Sequence, residues 1–186
     1  MDYQNIIEEL KQTAEEFFAT KSSLFEKVLS VTIESLRKGN KILVFGNGGS
    51  AAQAQHFAAE LVNKFLEIRP AFRAISLTTD TSSLTSIAND TSFDYVFSRQ
   101  IEALGEEGDV VLALSTSGNS SNVIEALKVA KKMKIITVAF TGKGGGKLGS
   151  FADYLLDVPS ESTPRIQEVH LLLLHLLAQE IERGIG

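Results

Sequence analysis

The sequence of 186 residues contains no cysteine and only three prolines. Without cysteine, the chain can have neither a disulfide, nor a thiolate metal site, nor a cysteine nucleophile. Its longest apolar runs fall well short of the ~20 residues that a membrane-spanning helix needs. With 44% hydrophobic and 22% charged residues, no segment is biased enough to predict disorder or a linker. We therefore expect one domain over residues 1–186, since domains usually run roughly 100 to 200 residues.

Positive charge is also in short supply. The chain carries a formal net charge of -5, which provides no diffuse basic surface for a nucleic-acid backbone. The amino-terminal stretch MDYQNIIEELKQ is acidic and amphipathic, without the basic start and apolar run of a signal peptide. We therefore expect a cytoplasmic protein with neither nucleic acid nor a membrane as its partner.

Two helices are predicted ahead of the core. Apolar residues recur at helical spacing over residues 3–19 and again over residues 22–38. Ser22 lies between the two patterns and suits the N-cap of the second helix. Residues 1–38 are thus expected to form an N-terminal helical segment, and residues 39–186 the core.

In the core, short apolar runs alternate with helical patterns. The predicted strands cover about residues 41–45, 71–77, 109–114, 134–140 and 154–158, and the predicted helices about residues 50–66, 82–88, 93–104, 119–132 and 165–183. Strands that are apolar on both faces and separated by helices form a parallel sheet covered by helices. We predict an α/β fold with a five-stranded parallel sheet. Ligands bind such sheets at the carboxyl ends of the strands, so the loops that follow the strands are the ones to search.

The loop after the first strand is rich in glycine. Its sequence is Gly46–Asn47–Gly48–Gly49–Ser50, and an alanine-rich helix follows. Glycines let the backbone approach a ligand closely, and the start of the helix offers free N–H groups and a positive dipole end. The loop therefore suits an anion or a sugar; otherwise it is a tight turn with Ser50 as N-cap.

The same glycines raise the alternative of a dinucleotide site. Gly46, Gly48 and Ala51 fit the pattern G-x-G-x-x-G/A. Such a site needs an acidic residue about 20 positions further on, at the end of the second strand. Here that region is Glu67 to Pro70, which precedes the second predicted strand. The dinucleotide interpretation is therefore disfavoured.

The loop after the third strand is rich in hydroxyl groups. Residues 115–121 read Ser-Thr-Ser-Gly-Asn-Ser-Ser and lead into a helix. Hydroxyl and backbone N–H groups at a helix start can surround a phosphate without a lysine. The chain lacks a G-x-x-x-x-G-K-[ST] run, which argues against a nucleoside triphosphate. We place a phosphate here; the alternative is an N-capped polar loop.

A third glycine-rich loop follows the fourth strand. Residues 141–147 read Thr-Gly-Lys-Gly-Gly-Gly-Lys. The two lysines are compatible with an anion site. We instead interpret the segment as a flexible turn.

Two side chains on the helix after the first loop could do chemistry. His56 and Glu60 are four residues apart, so they share one face of the helix. Such a pair can bind one metal ion or divide the roles of acid and base, although many pairs of this kind are ordinary surface contacts. A metal site usually takes three or four ligands, so further partners are needed.

The last predicted helix supplies those candidates. It carries Gln167, His170 and His175 in a leucine-rich sequence. A buried imidazole is often only a hydrogen-bonded core residue, and otherwise a group with a shifted pKa that suits proton transfer or metal binding. Gln167 and His175 are separated by about 12 Å along a straight helix. A ligand common to both would need an irregular first turn or two subunits.

Taken together, several segments resemble one enzyme family. GNGGSAAQAQHFAAE, IANDTSFDYVFSRQIEALGEEGDVVLALSTSGNSSNVIEAL, TGKGGGKL and RIQEVHLLLLH are similar to phosphoheptose isomerases, over about residues 40–180. The resemblance implies a flavodoxin-like, doubly wound sheet of the sugar-isomerase (SIS) type, and a cytoplasmic homotetramer with sites near subunit interfaces. It also implies conversion of sedoheptulose 7-phosphate to glycero-manno-heptose 7-phosphate, on the way to bacterial surface polysaccharides. The implied partners are a phosphorylated seven-carbon sugar and copies of the chain itself.

The resemblance also assigns the site residues. It implies substrate contacts at Asn47, Gly48, Gly49, Asn89 and Asp90, phosphate contacts at Ser115, Thr116, Ser117 and Ser120, and zinc ligands at His56, Glu60, Gln167 and His175. Glu60 and Gln167 are implied to contact the substrate as well, with Glu60 as the base and His175 as its acid–base partner. Some members have an aspartate before the R-I-Q motif; this chain has Pro164, so any role of that aspartate is absent.

Two alternatives without catalysis remain. A paralogue of the same fold binds the bacterial replication initiator and shares the glycine and serine loops, but it typically has small or amide residues at the positions of Glu60 and His175. A sugar-phosphate-binding regulatory module is the other. The presence of both acid–base groups favours the enzyme. The N-terminal helices and the leucine-rich last helix also offer more apolar surface than one sheet needs, which predicts self-association.

Overall fold

Residues 3–185 are described by a computed structural model, and they form a five-stranded parallel sheet with helices on both faces. The strands are β1 (Ile42–Gly46), β2 (Ala74–Ser76), β3 (Val110–Ser115), β4 (Ile136–Thr141) and β5 (Tyr154–Asp157). The α-helices are α1 (Tyr3–Arg37), α2 (Gly49–Val62), α3 (Thr81–Asp90), α4 (Ser98–Leu104), α5 (Ser121–Lys132) and α6 (Thr163–Ile185), and short 3₁₀ helices cover Phe93–Tyr95 and Gly146–Ser150. The strand order β2-β1-β3-β4-β5 is that of a flavodoxin-like sheet. The predicted α/β class and all five strands are confirmed.

Alternate residues of each strand serve two separate cores. Ile42 and Val44 pack with side chains of α1, α2 and α6, whereas Leu43 and Phe45 pack with α4 and α5. Neighbouring residues of a strand point to opposite faces, so a strand buried on both sides is apolar at most of its positions. Each large apolar side chain that is fully buried in this way contributes about 1.5–3 kcal/mol. The doubly wound architecture follows from that continuous apolar pattern.

The chain begins with one long helix, so the prediction of two N-terminal helices is wrong. α1 runs without a break over 35 residues. Ser22 does not cap a second helix, because its hydroxyl donates to the Phe18 carbonyl inside the first. Phe17 and Phe25 are both buried in the core that α1 shares with α6. Packing on the two sides of Ser22 is therefore continuous, and neither glycine nor proline interrupts it.

The final helix buries three of its six leucines. Leu173, Leu174 and Leu177 are fully buried against the sheet and α1. Its apolar sequence is thus explained by the core of the domain. Within residues 3–185, no helix combines the length and the hydropathy needed to cross a membrane.

The sheet brings three loops to one edge. Gly46 of β1 is paired with Leu114 of β3, and Ser115 of β3 with Thr141 of β4, so these parallel strands end side by side. The glycine loop, the serine loop and the third glycine-rich loop follow those strands directly. This edge is where the candidate site lies.

Candidate active site

A small cavity opens between the glycine loop and the serine loop. Its lining includes Asn47, Ser50, Ser115, Thr116, Ser120 and Gln167. The hydroxyl oxygens of Ser115 and Ser120, both in this lining, lie at hydrogen-bond distance from each other (3.2 Å). Several residues predicted to contact the substrate or its phosphate therefore share one cavity.

The start of α5 faces the same serine loop. Ser120 occupies the N-cap position, but its side chain makes no capping hydrogen bond and pairs with Ser115 instead. The first N–H groups of a helix have no partner inside the helix, and the dipole there favours an anion. The serine loop therefore differs from the N-capped loop that was the alternative, and its role in binding a phosphate stays a prediction.

The third glycine-rich loop is held in place, so the prediction of a flexible turn is wrong. The Gly142 N–H donates to the Thr116 carbonyl (2.9 Å), and the Leu148 N–H donates to the Gly118 carbonyl (2.9 Å). Lys143 of this loop lines a second cavity, together with Thr116 and Ser117. The loop is therefore hydrogen-bonded to the serine loop and places a cation beside it.

Three of the residues predicted to carry the chemistry, His56, Glu60 and His175, lie together where α2 and α6 face each other. The Nε2 atoms of His56 and His175 are 2.9 Å apart, and His56 Nε2 lies 3.4 Å from Glu60 Oε1. The ring of Phe65 stacks on His175, with 5.6 Å between the ring centroids. Burial, and then the neighbouring His56, lower the pKa of His175, although Glu60 acts in the opposite direction. At neutral pH the His175 imidazole is therefore mainly uncharged.

Gln167 belongs to the phosphate side of the site. Its side chain lines the cavity at the serine loop. A Cβ atom on Gly49 would lie only 2.7 Å from Gln167 Nε2, so the glycine leaves room for this amide. α6 is a regular helix from Thr163 onward, which places Gln167 about 12 Å from His175 along the axis. The irregular first turn that could have joined them in one chain is not observed.

His170 is a core residue. It is fully buried, and its Nε2 lies 3.1 Å from the Thr141 carbonyl oxygen. Burial lowers the pKa of His170 to about 4, against the opposing effect of that hydrogen bond. It therefore remains neutral and takes no part in the candidate site.

The end of α3 carries two further predicted substrate contacts. Asn89 and Asp90 are exposed, and the Asn89 amide donates to the Asp90 carboxylate (2.8 Å). Within residues 3–185, neither residue is joined by a hydrogen bond or an ion pair to the serine loop or to His175. Their assignment stays a prediction.

One residue of the site was missed by the sequence reasoning. Asn122 is buried in the first turn of α5 and exchanges two amide hydrogen bonds with Asn47, each 2.9 Å long. The pair ties the glycine loop to the helix that follows the serine loop. An asparagine at the start of a helix gives no sign of a partner 75 positions away.

The imidazole and carboxylate groups are of the types that bind zinc. Two ligands of a tetrahedral zinc ion lie about 3.4 Å apart when the bonds are about 2.1 Å long. The separation of His56 Nε2 and Glu60 Oε1 matches this value, whereas the two imidazole nitrogens at 2.9 Å are closer, as in a hydrogen bond. Among the described residues, no three His, Asp or Glu side chains are grouped so that they could hold a metal ion as they stand. The donor set fits zinc, and a small separation of the two rings would be needed to admit it.

Known proteins share this arrangement of elements. The SIS domain family profile matches residues 5–142. The phosphoheptose isomerase of Thermodesulfovibrio yellowstonii is 51% identical over 175 residues, which cover 94% of this chain and 87% of that protein. Among solved structures, the phosphoheptose isomerase of Neisseria gonorrhoeae superposes with a TM-score of 0.91 at 42% identity, covering 97% of both chains. That of Francisella tularensis gives 0.93 at 34% identity, covering 97% of this chain and 96% of the other.

Proposed function

The chain belongs to the phosphoheptose isomerases, a family of SIS-domain proteins, and from this membership we propose that it interconverts sedoheptulose 7-phosphate and D-glycero-D-manno-heptose 7-phosphate. It is an aldose–ketose isomerase, and its product supplies the heptose of bacterial surface polysaccharides such as the lipopolysaccharide core. The observation that carries the proposal is the meeting of Glu60, His56 and His175 at a distance from the serine loop. A protein that only bound a sugar phosphate would not need these groups.

The distance between the two parts of the site matches the length of the substrate. Gln167, at the serine loop, and His175 are about 12 Å apart along α6. An extended open-chain heptose phosphate has eight bonds from C1 to phosphorus and measures about 10 Å, taking about 1.2 Å per bond as in an extended chain. A phosphate bound at Ser115 and Ser120 would therefore leave C1 and C2 near Glu60 and His175.

The serine loop acts on the substrate through binding. Hydroxyl groups of Ser115, Thr116, Ser117 and Ser120 and the start of α5 would hold the phosphate. Lys143, at the adjoining cavity, would provide a counter-charge. Binding energy from this remote group fixes the reacting carbons in place and does not itself move a proton.

Glu60 and His175 would carry the proton transfers after the ring has opened. Glu60 takes the proton from C1, and His175 gives a proton to the C2 oxygen, which produces an enediol. The proton of the C1 hydroxyl then returns to His175 as Glu60 protonates C2. A group that transfers a proton must come within about 3 Å of its target.

Zinc remains a proposal. His56, Glu60 and His175 would hold the ion. Gln167, the further ligand that the family resemblance implies, lies about 12 Å from His175 along α6 and would have to come from a second subunit. When bound, zinc would polarise the carbonyl oxygen of the substrate as a Lewis acid. The site residues would still be the groups that bind the sugar and move its protons.

Zinc binding can be tested without an activity assay. Adding zinc alone to the metal-free chain is expected to raise the thermal midpoint by about 5–10 °C at about 100 times the dissociation constant. The three histidines provide an internal control in imidazole NMR spectra. The signals of His56 and His175 should move on titration, whereas the signal of buried His170 should not. Unchanged signals of His56 and His175 would rule out this ligand set.

Self-association, to a tetramer, is also proposed. Tyr3 and Ile7 of α1 and Leu66 and Ile68 after α2 expose 61–93% of their surface. Large exposed apolar side chains often mark a protein interface. Leu66 and Ile68 follow the segment of Glu60, which is consistent with a site near a subunit interface. The cytoplasmic location stays a sequence-based prediction.

The proposed reaction is tested by one assay. Purified chain is incubated with sedoheptulose 7-phosphate, and formation of the aldose phosphate is followed, with ribulose 5-phosphate as a shorter ketose control. We expect the seven-carbon sugar to be turned over. Separately, sedimentation of the same chain is expected to show an oligomer. If neither direction of the reaction is catalysed, the isomerase proposal fails and the non-catalytic alternatives return; a monomer would contradict the proposed assembly alone.

A further inference from the structure

A buried carboxylate, that of Glu182, binds the segment that packs against the proposed acid–base group His175. The Glu182 side chain is only 2% exposed, on the last turns of α6. Its two oxygens accept hydrogen bonds from the consecutive N–H groups of Phe65, Leu66 and Glu67, at 2.7–3.1 Å, and from Arg69 Nε at 3.1 Å. Burial alone would raise the pKa of Glu182, but these hydrogen bonds and Arg69 outweigh it and lower the pKa. The carboxylate is therefore ionised at neutral pH and binds the segment after α2 along its backbone.

Arg69 completes the other half of this contact. Its side chain is 3% exposed, and its guanidinium lies over the ring of Phe72. Nη2 donates to the Glu60 carbonyl (2.7 Å), and Nη1 donates to the Leu61 carbonyl (2.7 Å). The last carbonyl groups of a helix lack partners within it, and a cation there is favoured by the helix dipole. Arg69 thus fixes the last turn of α2, the turn that carries Glu60.

Each residue of the Glu182–Arg69 pair is linked to one of the proposed acid–base residues. Arg69 binds the backbone of Glu60, and Glu182 is linked to His175 through Phe65. Glu182 holds the N–H of Phe65, whose ring stacks on His175. His175 and Glu182 are seven residues apart on α6, which is about two turns, so they share one face of the helix. One face of α6 therefore presents the proposed acid–base group and also anchors the segment that packs against it.

We propose that Glu182 and Arg69 are positioning residues for the isomerase reaction, holding the segment 63–69 so that Phe65 orients the His175 ring while Arg69 fixes the backbone of Glu60. Neither residue contacts the cavity at the serine loop. The pair acts on the reacting end of the sugar and leaves the phosphate end alone. This inference rests on the proposed function for its kinetic consequence, whereas its structural consequence does not depend on turnover.

The test compares Glu182→Gln with a matched change on the same helix. Glu180→Gln removes one charge two residues earlier, from an exposed pair with Arg183 (2.7 Å). We expect kcat of Glu182→Gln to fall about 10- to 100-fold, because a displacement of about 1 Å in an active site can cost a factor of 100. KM should stay within about threefold, because the phosphate loop is untouched. Glu180→Gln should behave as the parent in both.

Imidazole NMR of the full chain gives a readout that does not need activity. The Phe65 ring current should displace the His175 ring signals, and Phe65→Leu defines their position without it. In Glu182→Gln the His175 signals should move toward that position, whereas those of His170 stay. If Glu182→Gln does not fold, Arg69→Lys takes its place, since lysine keeps the charge but lacks the fork that reaches two carbonyls and Glu182 together.

The outcomes separate the two proposals. A folded Glu182→Gln or Arg69→Lys with the parent's His175 signals and kcat overturns the positioning role, even if its melting temperature falls. A parent chain without turnover overturns the proposed function, and the NMR comparison still decides whether the pair orients His175. A fall in kcat with unmoved His175 signals would also overturn the inference as stated.

Discussion

Glu60→Gln is expected to lower kcat by about 10²–10⁴-fold, the usual contribution of a positioned acid or base, and to leave KM nearly unchanged. The amide has almost the same shape as the carboxylate, but it cannot take up the C1 proton. Glu60 is partly buried on the last turn of α2, where Arg69 holds its carbonyl (2.7 Å). The position of the side chain should therefore survive the change, so that the loss reports chemistry.

Two measurements identify the step that Glu60→Gln affects. Turnover of sedoheptulose 7-phosphate gives kcat and KM, and exchange of the C1 proton with deuterated solvent reports enediol formation alone. Both rates should fall together. Glu67→Gln is the control, because it removes a charge from an exposed side chain after the same helix. If Glu60→Gln keeps turnover within about threefold of the parent, Glu60 is not the base, although the chain remains an isomerase.

The fold was largely predictable because its signals are local. Strands such as Val110–Ser115 are apolar up to their last residue, and in the helices between them apolar residues recur every three to four positions. The boundaries that failed depend on distant contacts. The break expected at Ser22 is bridged by packing of Phe17 and Phe25 in the core shared with α6. The strand predicted over residues 71–77 is reduced to Ala74–Ser76 at the edge of the sheet, where β1 is its one pairing partner within residues 3–185.

The candidate site was predictable where polar or reactive side chains occur at a recognisable place in the pattern of strands and helices. The hydroxyl-rich loop follows a strand, and His56 and Glu60 follow helical spacing, so both stand out in the sequence. The supporting contacts do not. Asn122 pairs with a residue 75 positions away, and Glu182 binds a segment 113 to 117 positions away. Such contacts depend on the assembled fold, and no local pattern reports them.

Gly118→Ala is expected to lower both the stability of the fold and the affinity for the sugar phosphate, because the serine loop packs closely against the third glycine-rich loop. Gly118 has a φ of +63°, and a Cβ atom there would lie 2.2 Å from the Gly145 carbonyl oxygen and 2.6 Å from the Gly145 carbonyl carbon. Those atoms belong to the backbone, so they cannot turn aside as a flexible side chain would. We expect a loss of about 3 kcal/mol in the free energy of unfolding, from strain at this φ plus the clash. The displaced loop should also raise KM for the sugar phosphate at least about tenfold, since each 1.4 kcal/mol of lost binding is a factor of ten.

Gly144→Ala is the matched control for this prediction. Gly144 lies in the third glycine-rich loop, with a φ of +79°, and a Cβ atom there would meet nothing within 4 Å. It carries the same kind of backbone strain without the clash and should cost only about 1–2 kcal/mol. Denaturant unfolding at a fixed protein concentration and binding of inorganic phosphate measure the two effects separately. Because both substitutions place alanine at a positive φ, their difference isolates the contact between the loops. Equal losses in stability and equal phosphate affinity would mean that the third loop does not support the phosphate site.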